Sequence, residues 1–221
     1  MSKTFAELGL SDEVLESLKA SGFNAPFPIQ EAVIPLALTG VDIIGQAKTG
    51  TGKTLGFGLP IIDLLSRGDG LPHALVVVPT RELGIQVAEE LTKLSVGRKL
   101  RVTAIYGGRP MEPQIAELKS GVDIVVGTPG RLLDLQRQGA LDLSEIKQLI
   151  LDEADEMLDL GFLPDVEKIF KLTDSRNQTM LFSATMPGDV VTLARRFLNQ
   201  PTHIRADVER SEEHTSELQS H

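Results

Sequence analysis

The sequence contains no cysteine and no tryptophan, and aromatic residues make up only 4% of its 221 positions. The absence of cysteine excludes disulfide bonds and thiolate metal sites. No apolar run approaches the roughly 18 residues that a membrane-spanning helix needs, and no secretory leader opens the chain, so we expect a cytoplasmic protein without a membrane partner. Hydrophobic residues at 41% and charged residues at 24% are typical of a globular chain and exclude disordered and collagen-like classes.

Basic residues are also scarce relative to acidic ones, and the formal net charge is −9. An acidic chain lacks the general electrostatic attraction that basic proteins have for nucleic acid. Any contact with nucleic acid must therefore be local and made by a few placed groups.

The last twelve residues, Arg210 to His221, lack the apolar periodicity of the preceding chain. Their sequence, RSEEHTSELQSH, matches the translation of a common sequencing-library adapter, and we interpret it as an artefactual tail rather than a native polar one. We therefore expect the native reading frame to continue past Glu209 and the chain to be a fragment.

Two helices are predicted within residues 1–40, one beginning after Ser11 as its cap and one over Ile29 to Leu38. Short apolar runs then alternate with helical segments, and several runs are continuous and β-branched, which is typical of strands buried on both faces of a parallel sheet. The sequence therefore predicts an α/β fold, with a mostly parallel sheet and helices on both faces. The apolar runs cover residues 42–44, 74–78, 102–106, 124–126, 148–151 and 180–182.

A glycine-rich loop, AKTGTGKT, follows the first apolar run at residues 47–54, with Ala in place of the usual first Gly. Its glycines allow backbone N–H groups to close around phosphate oxygens. Lys53 can reach the β- and γ-phosphates, and the Thr54 hydroxyl can hold Mg²⁺. The candidate nucleotide-binding residues here are Lys48, Thr49, Gly50, Thr51, Gly52, Lys53 and Thr54.

Acidic residues follow the fifth run, in the sequence Asp152-Glu153-Ala154-Asp155. The Asp152 carboxylate can hold the hydration shell of Mg²⁺ opposite the phosphate loop, and Glu153 can orient and deprotonate an attacking water. An acid-rich helix N-terminus is the alternative interpretation. The phosphate loop earlier in the chain favours the catalytic interpretation of these acidic residues.

This acidic string resembles motif II of the DEAD-box RNA helicases of bacterial type. The resemblance extends from Phe5 to Asp207, because further strings agree with family motifs in order and spacing. The string GFNAPFPIQ at residues 22–30 resembles the Q motif, although Phe27 stands where the family usually has Thr or Ser. The other matching strings are PTREL at 79–83, GG at 107–108, TPGR at 128–131 and SAT at 183–185.

The resemblance implies a Q-motif helical lead-in over residues 1–40 and a RecA-like P-loop NTPase domain over residues 41–209, with ATP and Mg²⁺ as cofactors. In the family the residue at Gln30 binds the adenine edge and selects ATP, while Phe23 either borders the base or belongs to the core. Ser183 and Thr185 would bond Asp155 and link hydrolysis to unwinding.

The resemblance also implies sequence-independent contacts with the RNA backbone at the ends of strands. Glycine amides, helix N-termini and arginines suit phosphate binding, and ordinary capping is the alternative role for each. The candidate RNA-binding residues are Pro79, Thr80, Arg81, Gly107, Gly108, Thr128 and Arg131.

Family members carry a second RecA-like domain with an arginine finger in a His-Arg-x-Gly-Arg string, and that string does not occur in this sequence. The resemblance therefore implies the N-terminal catalytic half of an ATP-dependent RNA helicase, nearly inactive alone, whose partners are RNA and the second domain. A stand-alone nucleotide-binding module or decoy without turnover is the alternative.

Overall fold

The structure, a computed structural model, describes residues 1–206 of the chain. The interpretation of residues 210–221 as a foreign tail lies outside these residues and stays a prediction. Within the described part, seven short strands form one sheet whose paired neighbours are all parallel. The strands are β1 (Ile43–Gln46), β2 (Ala74–Val77), β3 (Val102–Ile105), β4 (Ile124–Gly127), β5 (Gln148–Leu151), β6 (Gln178–Ser183) and β7 (Thr202–Arg205).

Helices precede the sheet and connect its strands, as crossover connections between parallel strands require. None of the helices described in residues 1–206 has the length and apolar composition to cross a membrane. A 3₁₀ helix covers Phe5–Leu8. The α-helices are α1 (Asp12–Ala20), α2 (Pro28–Leu38), α3 (Lys53–Leu64), α4 (Arg81–Leu94), α5 (Met111–Lys119), α6 (Pro129–Arg137), α7 (Ala154–Asp159), α8 (Leu163–Leu172) and α9 (Gly188–Phe197).

Two apolar cores lie on the two faces of the sheet. Alternate residues of β2 divide between them: Val76 belongs to one core, whereas Leu75 and Val77 belong to the other. This follows from the strand geometry, in which successive side chains point to opposite faces. Helices α1 to α4 supply apolar residues to the first core, and α5 to α9 supply them to the second. The lead-in helices therefore share a core with α3 and the sheet.

The strands have the order β3-β4-β2-β5-β6-β1-β7 across the sheet. Because all strands run in the same direction, the loops that follow them leave from one edge. The loops after β5, β6 and β1 are consequently neighbours, and the loops after β3, β4 and β2 form a second neighbouring group. This strand order therefore determines which of the candidate site residues in these loops are neighbours.

The six predicted strands are all present, but β7 was not predicted. Among residues 1–206 it is an edge strand that pairs with β1 alone, and three of its four residues are exposed, so it lacks the buried apolar run that identifies the others. The predicted capping role of Ser11 is also wrong in detail. Ser11 precedes α1, but its hydroxyl makes no capping bond, and its backbone N–H donates to Asp63 Oδ1 at 3.1 Å.

Candidate functional site

The glycine-rich loop between β1 and α3 has the conformation of an anion-binding loop. Gly50 and Gly52 have φ of +86° and +83°, in the left-handed region that glycine adopts without strain. Thr51 Oγ1 donates to the Lys48 carbonyl at 2.7 Å and closes the turn. Within residues 1–206, no backbone N–H of residues 48–52 donates to another group. These free donors, at the N-terminus of α3, fit a bound phosphate.

The side chain of Lys53, the first residue of α3, extends toward the two carboxylates that follow β5. Its Nζ lies 2.8 Å from Asp152 Oδ1 and 3.4 Å from Glu153 Oε1. The Lys53 side chain is 6% exposed and that of Asp152 is fully buried. Buried charges are costly unless they are paired, so the lysine and the aspartate stabilise each other.

Asp152 retains unused acceptor capacity. Its backbone N–H is fixed by the Val77 carbonyl at 2.9 Å. Burial raises the pKa of its carboxyl group, and the charge of Lys53 opposes this rise. Although Lys53 contacts Oδ1 as an ion pair, neither oxygen accepts a well-directed hydrogen bond from the described residues. The Asp152 carboxylate, with Thr54 in the first turn of α3, fits a hydrated Mg²⁺ ion.

Two candidate metal ligands, Asp152 and Thr54, flank Lys53. Residues 1–206 contain no cluster of three or more histidine or acidic side chains arranged to hold a metal ion. Mg²⁺ characteristically uses one or two carboxylates, several waters and substrate phosphates. The sparse ligand set beside a phosphate loop is therefore suited to a metal that arrives with a nucleotide.

Glu153 has φ of +53° and ψ of 52°, a left-handed conformation that costs a non-glycine residue about 1–3 kcal/mol and is concentrated at functional sites. Its Oε1 accepts a hydrogen bond from Thr49 Oγ1 at 3.1 Å. Burial acts to raise the pKa of Glu153, but hydrogen bonds with Glu156 and Thr49 and the charge of Lys53 outweigh it, and the pKa is lowered. Glu153 is therefore an ionised acceptor.

Glu156 is a site residue that the sequence reasoning missed. A hydrogen bond with Glu153, followed by burial and the charges of Glu153 and Asp155, raises the pKa of Glu156 to about 7. The two glutamates are three residues apart, on the same face of the turn that begins α7, and this spacing was the available signal.

The SAT string at residues 183–185 contacts Asp155 from the end of β6. The backbone N–H and Oγ1 of Thr185 donate to Asp155 Oδ2 at 3.1 and 2.8 Å. Ser183 Oγ accepts the backbone N–H of Asp155 at 3.1 Å, so this contact is to the backbone. Burial acts to raise the pKa of Asp155, but the hydrogen bonds from Thr185 prevail and lower it.

The Q-motif glutamine lies against the phosphate loop. Gln30 Nε2 donates to the Gly52 carbonyl and Oε1 accepts the Phe27 N–H, both at 2.9 Å. A carboxamide has two donors and two acceptor lone pairs, so one of each remains. Phe23 is partly buried against the first core and lines a groove between α1 and α4. The structure thus brings Gln30 to the loop.

The candidate RNA-binding residues lie after β2, β3 and β4, three neighbouring strands. The Arg81 guanidinium lies 5.2 Å from the centre of the Tyr106 ring, beside Gly108. Arg131 Nη1 donates to the Arg109 carbonyl at 2.8 Å, which joins the turn after β4 to the turn after β3.

The remaining candidates differ in what they offer a ligand. Thr80 Oγ1 caps α4 by accepting the Leu83 N–H at 3.3 Å, whereas the Thr128 hydroxyl makes no capping bond to α6. Gly107 is exposed, and Pro79 is buried.

Tyr106 and Arg109 were missed in the sequence. Arg109 lies 6.0 Å from the Tyr106 ring centre, and its Nη2 pairs with Glu117 at 3.1 Å. Both residues flank the glycine pair at 107–108, and their positions beside it were the only signal in the sequence.

A parallel sheet whose first strand enters a glycine-rich loop, and whose neighbouring strands end on carboxylates, defines a RecA-like α/β domain of the P-loop class. The profile of the DEAD/DEAH box helicase family matches residues 27–193. The chain belongs to this family, and the resemblance stated from the motifs is confirmed.

Curated relatives carry the same family description. The chain is 48% identical over 202 residues to the DEAD-box ATP-dependent RNA helicase CshA of Geobacillus kaustophilus, covering 91% of this chain and 43% of the relative. It is 49% identical over 201 residues to the ATP-dependent RNA helicase CshA of Listeria monocytogenes, covering 91% of this chain and 39% of the relative. The chain thus spans about two fifths of the length of these relatives.

Solved structures confirm the fold class. A DEAD box protein from Methanococcus jannaschii superposes with a TM-score of 0.88 at 45% identity, covering 93% of this chain and 56% of the other. A hypothetical ATP-dependent RNA helicase from Sulfolobus tokodaii gives a TM-score of 0.84 at 38% identity, covering 89% of this chain and 57% of the other.

Proposed function

We propose that the chain is the N-terminal, ATP- and RNA-binding half of an ATP-dependent RNA helicase. Residues 1–40 form its Q-motif lead-in, residues 41–209 its first RecA-like domain, and residues 210–221 do not belong to the native protein. The curated relatives are ATP-dependent RNA helicases, and the chain aligns with less than half of each. The partner that completes the enzyme is a second RecA-like domain.

The observation that carries the proposal is the division of one sheet edge between two sets of loops. The loops after β5, β6 and β1 hold the nucleotide candidates, and those after β3, β4 and β2 hold the RNA candidates. Because both sets belong to one rigid sheet, a nucleotide and an RNA strand bind side by side. This is the arrangement needed for one ligand to influence the other.

The loops after β5, β6 and β1, together with α3, offer groups for the phosphates, the Mg²⁺ ion and the attacking water. The loop amides and Lys53 bind phosphate oxygens, and Asp152 and Thr54 hold the Mg²⁺ hydration shell. Bound Mg²⁺ would neutralise charge on the phosphate oxygens. Glu153, ionised and fixed by Thr49, accepts the proton of the attacking water.

The loops after β3, β4 and β2 bind the backbone phosphates of RNA rather than the edges of its bases. Its donors are glycine amides at 107–108, the N-termini of α4 and α6, and Arg81 and Arg131, and none of these groups forms a pattern that reads bases. Recognition is therefore independent of sequence, and 2′-hydroxyl groups and strand shape would distinguish RNA from DNA. A few local donors suffice on a chain whose net charge is −9.

Calorimetric titration with Mg-ADP tests the nucleotide half. Replacing Lys53 with Ala should abolish measurable binding, because Lys53 is the buried cation aligned with the phosphate loop. Lys93→Ala, which removes an exposed lysine from the last turn of α4, is the matched control and should bind like the unmodified chain. Unchanged affinity in Lys53→Ala would contradict the proposal.

A further inference from the structure

A groove of about 790 Å³ lies between α1 and the second half of α4. Residues 13, 16 and 20 of α1 line one wall, and residues 86, 90 and 93 of α4 line the other. Each set follows the spacing of one helix face, on which residues three and four positions apart are neighbours. The two faces therefore lie opposite each other across a channel that residues 1–206 leave open.

Contacts between α1 and the turn after α4 hold the two walls in place. Ser17 Oγ donates to the Glu13 carbonyl at 3.1 Å and accepts the backbone N–H of Gly97 at 3.3 Å. Gly97 approaches α1 so closely that an added Cβ atom would lie 2.8 Å from the Glu13 carbonyl oxygen. Because these contacts fix α1 against the end of α4, the groove is already formed, and binding in it requires little rearrangement.

The charged residues that line the groove are four glutamates and one lysine. Glu13 and Glu16 belong to α1, and Glu89, Glu90 and Lys93 belong to α4. Within residues 1–206, none of these five side chains forms an ion pair. Burial raises the pKa of Glu90, and the charge of Lys93 opposes this rise only in part. The groove therefore carries an excess of negative charge that a cationic occupant would neutralise.

The chemistry of the lining favours one kind of occupant. RNA phosphates, and a second copy of this chain with its net charge of −9, would be repelled. A single metal ion does not suit the groove, because the described residues contain no cluster of three or more acidic or histidine side chains arranged to hold one. Ala20 and Val96, the latter 71% exposed, offer apolar contacts beside the acidic walls. A segment that combines spaced basic side chains with an apolar face suits both features.

We propose that the groove binds a lysine- or arginine-bearing amphipathic helix of a partner protein. At about 1.5 Å per residue, the lining part of α1 from position 13 to position 20 is about 10 Å long, which matches two turns of a bound helix. Over two turns, basic residues three or four positions apart can reach both acidic walls while an apolar residue contacts Val96. This role is separate from the nucleotide and RNA sites proposed above.

Calorimetric titration of the chain with two synthetic peptides tests the proposal. Both peptides consist of the same numbers of Ala, Leu and Lys residues and have about 18 residues, long enough to form a helix. In one peptide Lys and Leu share a face, and in the other they are scattered around the helix. Because the two charges are equal, general electrostatic attraction contributes equally, and the peptide with one basic and apolar face should bind about 10-fold more tightly.

Variants with equal net charge locate the binding surface. Glu16→Gln combined with Glu90→Gln should weaken binding of the one-faced peptide about 10-fold, within the range for two partly exposed ion pairs. Glu112→Gln combined with Glu145→Gln removes the same charge from residues outside the groove and is the matched control. The control variant should bind like the unmodified chain.

Fluorescence gives a second measurement, because the sequence contains no tryptophan. Val96→Trp introduces a single indole at the groove, and the one-faced peptide should shift its emission to shorter wavelength. Leu160→Trp, at a residue with 53% exposure after α7, is the control and should not respond.

Several outcomes would overturn the proposal. These are equal affinities of the two peptides, no binding of either, and unchanged affinity in the variant with Glu16→Gln and Glu90→Gln. A response of Val96→Trp to single-stranded RNA, or a dimer in sedimentation that this variant dissociates, would also overturn it, because RNA or a second copy would then occupy the groove. Melting curves verify folding, and every replaced side chain is at least partly exposed.

Discussion

Asp152 and Lys53 form a buried ion pair, and each depends on the other for its charge. Removing one partner of such a pair typically costs about 3–5 kcal/mol, because a buried charge is left unpaired. Lys53→Ala should therefore lose stability as well as nucleotide binding. Adding Asp152→Asn should restore part of the stability but none of the binding, which separates the two effects in denaturant titrations.

Gln30 has one carboxamide donor and one acceptor left after its bonds to Gly52 and Phe27. These match the N6 donor and N7 acceptor of adenine, whereas guanine has two acceptors, O6 and N7, on the same edge. Gln30→Ala should therefore narrow the preference for Mg-ADP over Mg-GDP, as measured by calorimetry of both nucleotides. Gln86→Ala, an exposed glutamine on α4, is the control. Equal binding of ADP and GDP by the unmodified chain would remove the basis for this role.

Glu156 makes stability depend on pH in a defined window. Its pKa is raised from 4.5 to about 7, so between these values the folded chain holds a proton that the unfolded chain has released. This stabilisation is complete below pH 4.5 and is lost as the pH rises through about 7. Glu156→Gln, which stays neutral, should show a smaller decline of melting temperature across the window.

Glu89→Gln makes the same chemical change at an exposed site on α4 and should retain the decline. Identical pH profiles for Glu156→Gln and the unmodified chain would contradict the coupling between Glu156 and Glu153.

Single residues were predictable where a motif specifies both type and spacing. Lys53, Asp152 and Glu153 were assigned from strings, and the structure brings them within ion-pair distance. Glu156 and Tyr106 escaped notice because their roles arise from neighbours: a carboxyl group one turn away and an arginine at the start of α4. Such pairings depend on tertiary contacts that a linear motif does not encode.

The loop before α3 needs glycine at two positions for different reasons. Gly50 and Gly52 both have positive φ, but a Cβ on Gly50 would meet nothing within 4 Å, whereas one on Gly52 would collide with Phe27 and Gln30. Gly50→Ala should cost only backbone strain of about 1–2 kcal/mol. Gly52→Ala should cost more and should also weaken Mg-ADP binding, because it displaces the Q motif from the loop.

Denaturant titration and calorimetry of both alanine variants measure this difference. Combining Gly52→Ala with Phe27→Thr should recover part of the lost stability, because the nearer colliding ring is gone. Equal losses in the two single variants would show that the contact between the Q motif and the loop is unimportant.

Elements were predictable to the extent that they are buried. The central strands β2, β4 and β5 are fully buried and read as continuous apolar runs. The edge strand β7 pairs with β1 through its backbone, a contact available to almost any sequence, and therefore left no pattern. The N-cap of α2 shows a similar effect: Phe27 has no side-chain acceptor, and backbone bonds begin the helix instead.

The order of strands across the sheet organises the whole molecule, and it could not be derived from the sequence. The motifs follow β1 to β6 in chain order, but the order β3-β4-β2-β5-β6-β1 sorts them into an RNA group and a nucleotide group. In chain order, the three strands of the RNA group separate β1 from β5 and β6. The family resemblance indicates the role of each motif. The crossover connections between the strands place motifs with the same role next to each other.

The division of the loops into a nucleotide group and an RNA group also determines which activities we expect of the chain alone. The proposed nucleotide group would bind phosphate, metal and water from one side only, and an arginine finger from a second domain can contribute about 10³- to 10⁵-fold to the rate. RNA can shift an equilibrium only through different affinities for two states, and one domain offers no closed state. We therefore expect negligible RNA-stimulated ATP hydrolysis and no duplex separation by this chain.

Fusing a RecA-like second domain with an arginine finger after Glu209 should restore RNA-dependent turnover, measured by steady-state ATP hydrolysis with and without RNA. Glu153→Gln in that fusion should retain ATP and RNA binding but block hydrolysis, because an amide cannot accept the proton of the attacking water. Glu89→Gln in the same fusion is the control and should hydrolyse ATP normally. Robust RNA-stimulated turnover by the unfused chain as a verified monomer would contradict the proposal, because it would mean that one edge of one sheet supplies every group the reaction needs.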